Sequence, residues 1–530
     1  MYPAGTQSLT PTSHSFPRTG VIMKHPDEQY FGIGFRNFFI LLIVYLLAHG
    51  GIFLILNSVF WDDWTVYNVN PTMLLNHNAM FGSILRWNAH MNIALLLLGP
   101  WIYRVLTFIL MFLSGILLWK VLERNDWMST EDRFLITLLF LVLPLNWARV
   151  ALVDFPYVLC CFSFYLAWYF IGKNRILALC LFLFSFNTNS LLVFFALPMA
   201  DWYFRDNKTF DIRKSVTWTL RKLDFVILPF AFWIVKRVYY KPYGSYAGYN
   251  EHFSLRNLIS SPVNMACDFV HLDVNVFLSI CFLIFCMFVI KKKVSDNYKS
   301  DGRRMLIAGS AALACALFPY WILGLAPGFF EWESRHQLLM PLGVALLLTC
   351  MLKRLTVDSR RLATAILVSI SIAISIQTYC ELALDWSKQQ ELISLFSHDD
   401  KIRDAGLVIF VDHTDNARNR VYRFYEWNGL MKYESNNERH FGLNPDELNA
   451  YMKGSYDKQY FTSLYNANLH VRQPNQGALI VRIEYADESA KAIATRVMRS
   501  IKGKANYKIF NNDCDRYCLD KLASGQVVAK

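Results

Sequence analysis

"NFFILLIVYLLAHGGIFLILNSVFWDDWTVYN", residues 37–68, decides the fold. Its first part, 37–60, has no formal charge and is long enough to cross a bilayer as a helix. Lys24 and Arg36 precede it, which places that end on the cytoplasmic side. Two adjacent carboxylates, Asp62 and Asp63, then emerge between Trp61 and Trp64 on the far side.

Working outward, further apolar runs lie near 101–120, 134–148, 155–171, 223–235, 273–290, 305–325, 337–352 and 362–378. The stretch 176–200 reads as two short helices turning at "NTNS" (187–190), because this returns the basic segment "RDNKTFDIRKSVTWTLRK" (205–222) to the cytoplasm. Short spans of this kind need neighbours that satisfy their polar ends, which points to a cavity on that side. The expected fold is a polytopic α-helical membrane protein of about 11 transmembrane helices, with its N-terminus inside and C-terminus outside. Residues 1–30 are expected to form a disordered tail: the first twenty are rich in Pro, Ser and Thr and lack the apolar core of a signal peptide. Met23 is a second candidate start.

Composition agrees. Of 530 residues, 54% are hydrophobic and 18% charged. The net charge of +12 is not a nucleic-acid signature, because the basic residues stand in short clusters between apolar runs, such as "KKK" at 291–293. Residues 1–378 hold 32 of the 53 basic side chains against 21 of the 41 acidic ones, so the excess belongs to the membrane part. After 378 the long apolar runs stop. Residues 379–530 alternate strand-like segments (405–412, 477–485) with helix-like ones and a capped helix start at 444–452. They are expected to form a small extracytoplasmic α/β domain. It has no Asn-x-Ser/Thr acceptor site, which favours a bacterial envelope over a secretory pathway. Most of the eleven cysteines sit singly in apolar segments as small hydrophobes. Cys514 and Cys518 are either a local disulfide or two free thiols.

Polar residues gather on the outer side. The first outer loop holds Trp61, Asp62, Asp63, Trp64, Arg86 and His90, and the second Arg149 and Asp154. The third, "KRVYYKPYGSYAGYNEHF", holds Lys241, Tyr246, Tyr249 and Asn250. The fourth, "PGFFEWESRHQLLMP", holds Glu331, Glu333, Arg335 and His336. Charges at span ends are costly unless paired or hydrated. Carboxylates in one loop with Arg, Lys and His in others suit a phosphate-bearing lipid: Arg335 for bidentate contact, Lys241 and His336 for added charge, and an Asp to deprotonate a hydroxyl. The plainer readings are helix capping by Asp62 and Asp63, an interfacial aromatic belt, and arginine anchoring at a span end. His49, inside the first span, reads as a satisfied core histidine. No Cys/His spacing indicates zinc, and no glycine-rich phosphate loop is present.

The acidic pair in "FWDDW", the "ESRHQLLMP" before a late span, the "YKPYGSYAGYN" loop and the polar C-terminal region together resemble the GT-C glycosyltransferases, in style the bacterial envelope and O-antigen-modifying branch. This resemblance covers most of residues 30–530 and rests on short motifs. It implies transfer of a sugar, with inversion, from a polyprenyl-phosphate donor (undecaprenyl in a bacterial inner membrane) to a glycan or lipid-linked acceptor hydroxyl. Asp62 or Asp63 would be the base. Arg335 with His336, Lys241 and Arg149 would hold the donor phosphate. Trp61, Trp64, Arg86, His90, Asp154, Tyr246, Tyr249, Asn250, Glu331 and Glu333 would line the substrate site. Some branches hold a divalent metal, Mg or Mn, on outer-loop acids, here Asp154 with Asp62 or Asp63. The alternatives are a flippase for a lipid-linked saccharide, which usually shows duplicated halves, and an O-antigen polymerase or ligase.

Overall fold

The computed structural model describes residues 29–30, 33–67, 69–248, 253–270, 274–289, 301–435, 441–453, 478–501 and 504–523. The expected N-terminal tail up to residue 28, the "KKK" cluster, Tyr249 and Asn250 lie outside the described residues.

The protein is a helical integral membrane protein. Among the described residues, five helical segments are long and apolar enough to cross a bilayer: Phe35–Ile55, Trp101–Leu122, Leu152–Phe170, Gly302–Trp321 and Val357–His398. Arg175–Ser185, Val276–Val289 and Met340–Leu352 are shorter apolar helices. The first segment changes character at its two glycines, where the α-helix Phe35–His49 tightens into a 3-10 helix over Gly50–Ile55. Gly51 is required there: a Cβ would come within 2.6 Å of the Tyr379 side chain on the long C-terminal helix. The run read as 134–148 is a helix over Thr130–Val142, opened by a Ser129/Asp132 capping box and closed two residues before Pro144. The helix Arg175–Ser185 stops just before Asn187, and a new helix starts at Ser190.

The main departure from the sequence reading is at its C-terminal boundary. Residues 357–398 form one helix of 42 residues. At 1.5 Å per residue it is about 63 Å long, twice the hydrocarbon thickness of a bilayer. The division placed after residue 378 therefore falls inside a continuous element, and the helix carries the chain directly onto a four-stranded sheet. In that sheet Leu407–Asp412 lies between Phe441–Leu443 and Ala478–Tyr485, all parallel, and Tyr507–Cys514 closes the far edge antiparallel. Ile409 is registered with both Leu443 and Ile480. One core cluster joins this sheet, through Val408, Phe410 and Val481, to Leu392 and Phe396 of the long helix and to Val59 and Trp64 of the first loop. The loop carrying the acidic pair is thus clamped between membrane helices and sheet. Cys514 and Cys518 are joined as a disulfide where the last strand enters the helix Arg516–Ala523.

Candidate functional site

The "WDDWT" stretch forms a 3-10 helix, Trp61–Thr65, and this turn sends its two carboxylates to opposite fates. Asp63 is fully buried. It accepts the amides of Phe60 (3.1 Å) and Val153 (3.0 Å) and faces Arg104 at 3.7 Å, itself without exposure. Burial pushes Asp63 up to about 7 against the opposing pull of Arg104 and these amides. Its oxygens tie the first outer loop to the second. Asp62 is half-buried. Burial raises it to about 6, while the Arg335 charge, a hydrogen bond from Tyr425 and the Arg423 charge act to lower it.

Arg335 is the hub. Its guanidinium lies 4.6 Å over the Trp61 ring, which stacks on Trp332 at 5.2 Å with an 11° interplanar angle. Its Nε donates to His336 Nε2 at 3.3 Å. Its charge also acts on Asp154, which feels Asp63 and Asp62 as well. Asp154 is 3% exposed, and among the described residues its Oδ2 has no hydrogen-bond partner. The two loops bearing Asp154 and Arg335 are pinned together by the Asn146 amide donating to Gln337 (3.0 Å) and the Ala148 amide to Ser334 (3.0 Å). Trp61 and Glu331 both hold left-handed φ values, 50° and 47°, on either flank of this platform. Strain of that kind is kept only where surrounding contacts over-determine it.

A buried ionic knot fixes Trp61 from beneath. Arg420 pairs with Asp385 of the long helix at 2.6 Å and with Glu426, and Glu426 accepts the Trp61 amide at 3.1 Å. Arg420 also lies 4.2 Å over the Tyr422 ring. From Arg335 a polar chain leads the other way. The His336 ring packs at a tilt against Tyr320 at 4.8 Å, the Tyr320 hydroxyl donates to Ser190 at 3.2 Å, and the neighbouring Asn189 accepts Lys236 Nζ at 2.8 Å. Among the described residues no carboxylate pairs with Lys236, which stands on the apolar helix Leu223–Tyr239.

The sequence-selected residues divide accordingly. Asp62, Asp154, Arg335, His336 and Trp61 come together. His336 contributes no charge, because burial first and Arg335 second push it down to about 3. Trp64 is a core residue under Gly429, where a Cβ would meet its ring at 2.5 Å. Arg149 is turned to the buried His49, whose other nitrogen meets the Leu141 carbonyl at 3.0 Å. Glu331 binds the C-terminal part, accepting the Val421 amide and facing Arg423 at 3.5 Å. Glu333 is exposed at the rim beside Gly328. Tyr246 packs on the first loop, its hydroxyl 3.2 Å from His77 Nε2. Lys241, Arg86 and His90 are exposed, and no contact among the described residues joins them to Arg335. Tyr320, Tyr425, Arg420, Asp385, Glu426 and Lys236 were missed; only Lys236, a charge close to the end of an apolar run, carried a signal in the sequence.

Among the described residues no three His, Cys, Asp or Glu side chains gather to hold a metal ion. Asp63 already accepts two amides, and Asp62 and Asp154 share Arg335 as counter-charge.

No protein-family model matches the chain, and no curated protein or solved structure matches it.

Proposed function

We propose that the chain is an envelope glycosyltransferase of the GT-C type, in a bacterial inner membrane, using a polyprenyl-phosphate sugar as donor. The observation that carries this reading is the convergence of Asp62 and Arg335 on one aromatic platform at the end of the first span, with Asp62 raised to about 6. Eleven spans, an inside N-terminus and an extracytoplasmic C-terminal sheet are part of the same proposal. The acceptor is a glycan or lipid-linked hydroxyl.

Asp62 takes the proton of the acceptor hydroxyl as its oxygen attacks the anomeric carbon. The bond from that carbon to the phosphate oxygen breaks, and the lipid phosphate leaves with the electron pair. One displacement inverts the centre and needs one base. Arg335 and Lys236 neutralise the leaving phosphate, with Tyr320, Ser190 and neutral His336 as hydrogen-bonding groups between them. Trp61, half-buried and backed by the buried Trp332, gives the sugar an aromatic edge. Lysine without a carboxylate on an apolar helix is costly unless it serves an anion. Lys236→Met is expected to raise the donor KM about tenfold, since a charge-assisted hydrogen bond is worth roughly 1.5 kcal/mol or more. Steady-state kinetics with varied donor check this.

A base raised to about 6 gives a signed pH dependence. Below that value Asp62 is protonated and cannot accept a proton. The kcat/KM of transfer is therefore expected to rise with pH through an apparent pKa near 6 and then level. A profile flat from pH 5 to 8, with chemistry limiting, would remove Asp62 from the role of base.

A further inference from the structure

A second surface lies away from this site. The helix Ile212–Arg221 follows Asp211, whose side chain caps it by accepting the Lys214 amide at 3.0 Å. It packs on the preceding helix Ala196–Asn207 through one edge only: Ser215 donates to the Tyr203 hydroxyl at 2.9 Å, and Trp218 meets Trp202 and Tyr203 edge to face. On the adjoining edge Ile212, Val216 and Leu220 recur every four residues, at 72, 56 and 65% exposure, and Phe210 (72%) and Leu223 (44%) extend the stripe at either end. Lys208, Arg213, Lys214 and Arg221 are all exposed around it. The two acids of the segment are occupied: Asp206 accepts the Trp218 indole at 2.8 Å, and Asp211 is the cap.

An apolar stripe bordered by uncompensated cations, in a chain that carries membrane-spanning helices, is the composition of a helix lying in the bilayer interface. We infer that Ile212–Arg221 lies in the membrane plane with its stripe in the acyl boundary, and that its basic side chains bind a surface of anionic phospholipid headgroups. Charge complementarity favours that occupant over a neutral lipid surface, since basic residues close to an anionic leaflet each add attraction. This inference does not depend on the proposed reaction.

The test is hydrogen exchange of the segment 209–222 in the full chain, reconstituted in nanodiscs of phosphatidylcholine alone or of equal parts phosphatidylcholine and phosphatidylglycerol. Exchange is expected to be slower by about tenfold or more in the anionic discs, from four basic side chains acting together, and the difference should vanish at high salt. The Lys208→Gln/Arg213→Gln/Lys214→Gln/Arg221→Gln variant, which alters only exposed side chains, should exchange equally in both lipids. Equal exchange of the wild type in both lipids, or an unchanged difference in the variant, would overturn the inference.

Discussion

Asp62→Asn is expected to lower the rate of sugar transfer by about 10²- to 10⁴-fold, the range over which a positioned general base acts, with little loss of thermal stability. Asparagine keeps the shape of the side chain and can still accept from Tyr425, but it cannot take a proton. Asp63→Asn should behave in the opposite sense. Arg104, fully buried, would lose its carboxylate, and breaking a buried ion pair from one side costs roughly 3–5 kcal/mol. Its main effect should be poor folding rather than a defect in chemistry. Measuring transfer rate and thermal midpoint on both purified variants separates the two roles. A stable, fully active Asp62→Asn enzyme would remove the base assigned here.

Arg420→Met should be the most destabilising single substitution in the C-terminal part. It strands Asp385 and Glu426, both buried, beneath the Trp61 platform. A loss of roughly 3–5 kcal/mol is expected, read as a large fall in the thermal midpoint in detergent. Glu426 also accepts the Trp61 amide, so loosening should reach Arg335 through the Trp61 stack. Arg420→Met combined with Asp385→Leu and Glu426→Gln should recover part of the stability, because no uncompensated charge then remains buried. A single variant as stable as wild type would show that the knot contributes nothing net.

The helical membrane class was legible in residues 37–60 alone, because an uncharged run of that length has few other outcomes in a protein. The strands 407–412 and 478–485 and the cap at Asn444 were legible for local reasons: β-branched runs and a capping box act within a few residues. Both halves of the 42-residue helix, 362–378 and 381–396, read as helical, but their continuity did not, because hydropathy falls near Tyr379 while helix propensity does not. At the site, composition singled out "WDDW" and "ESRHQ", but it could not separate Asp62 from Asp63. That separation comes from a 3-10 turn and from Arg104, Phe60 and Val153, only one of which is near in sequence. The Arg420 knot joins residues 61, 385, 420 and 426, and pairings over such separations leave no periodic trace.

The most direct test of the central claim is sugar transfer or release by the purified wild-type protein across a panel of short-chain polyprenyl-phosphate sugars, run beside Asp62→Asn. The account predicts turnover with at least one donor, inversion at the anomeric carbon, and loss of that turnover in the variant. Turnover undiminished in Asp62→Asn, or no turnover with any donor by a folded wild-type protein, would contradict it.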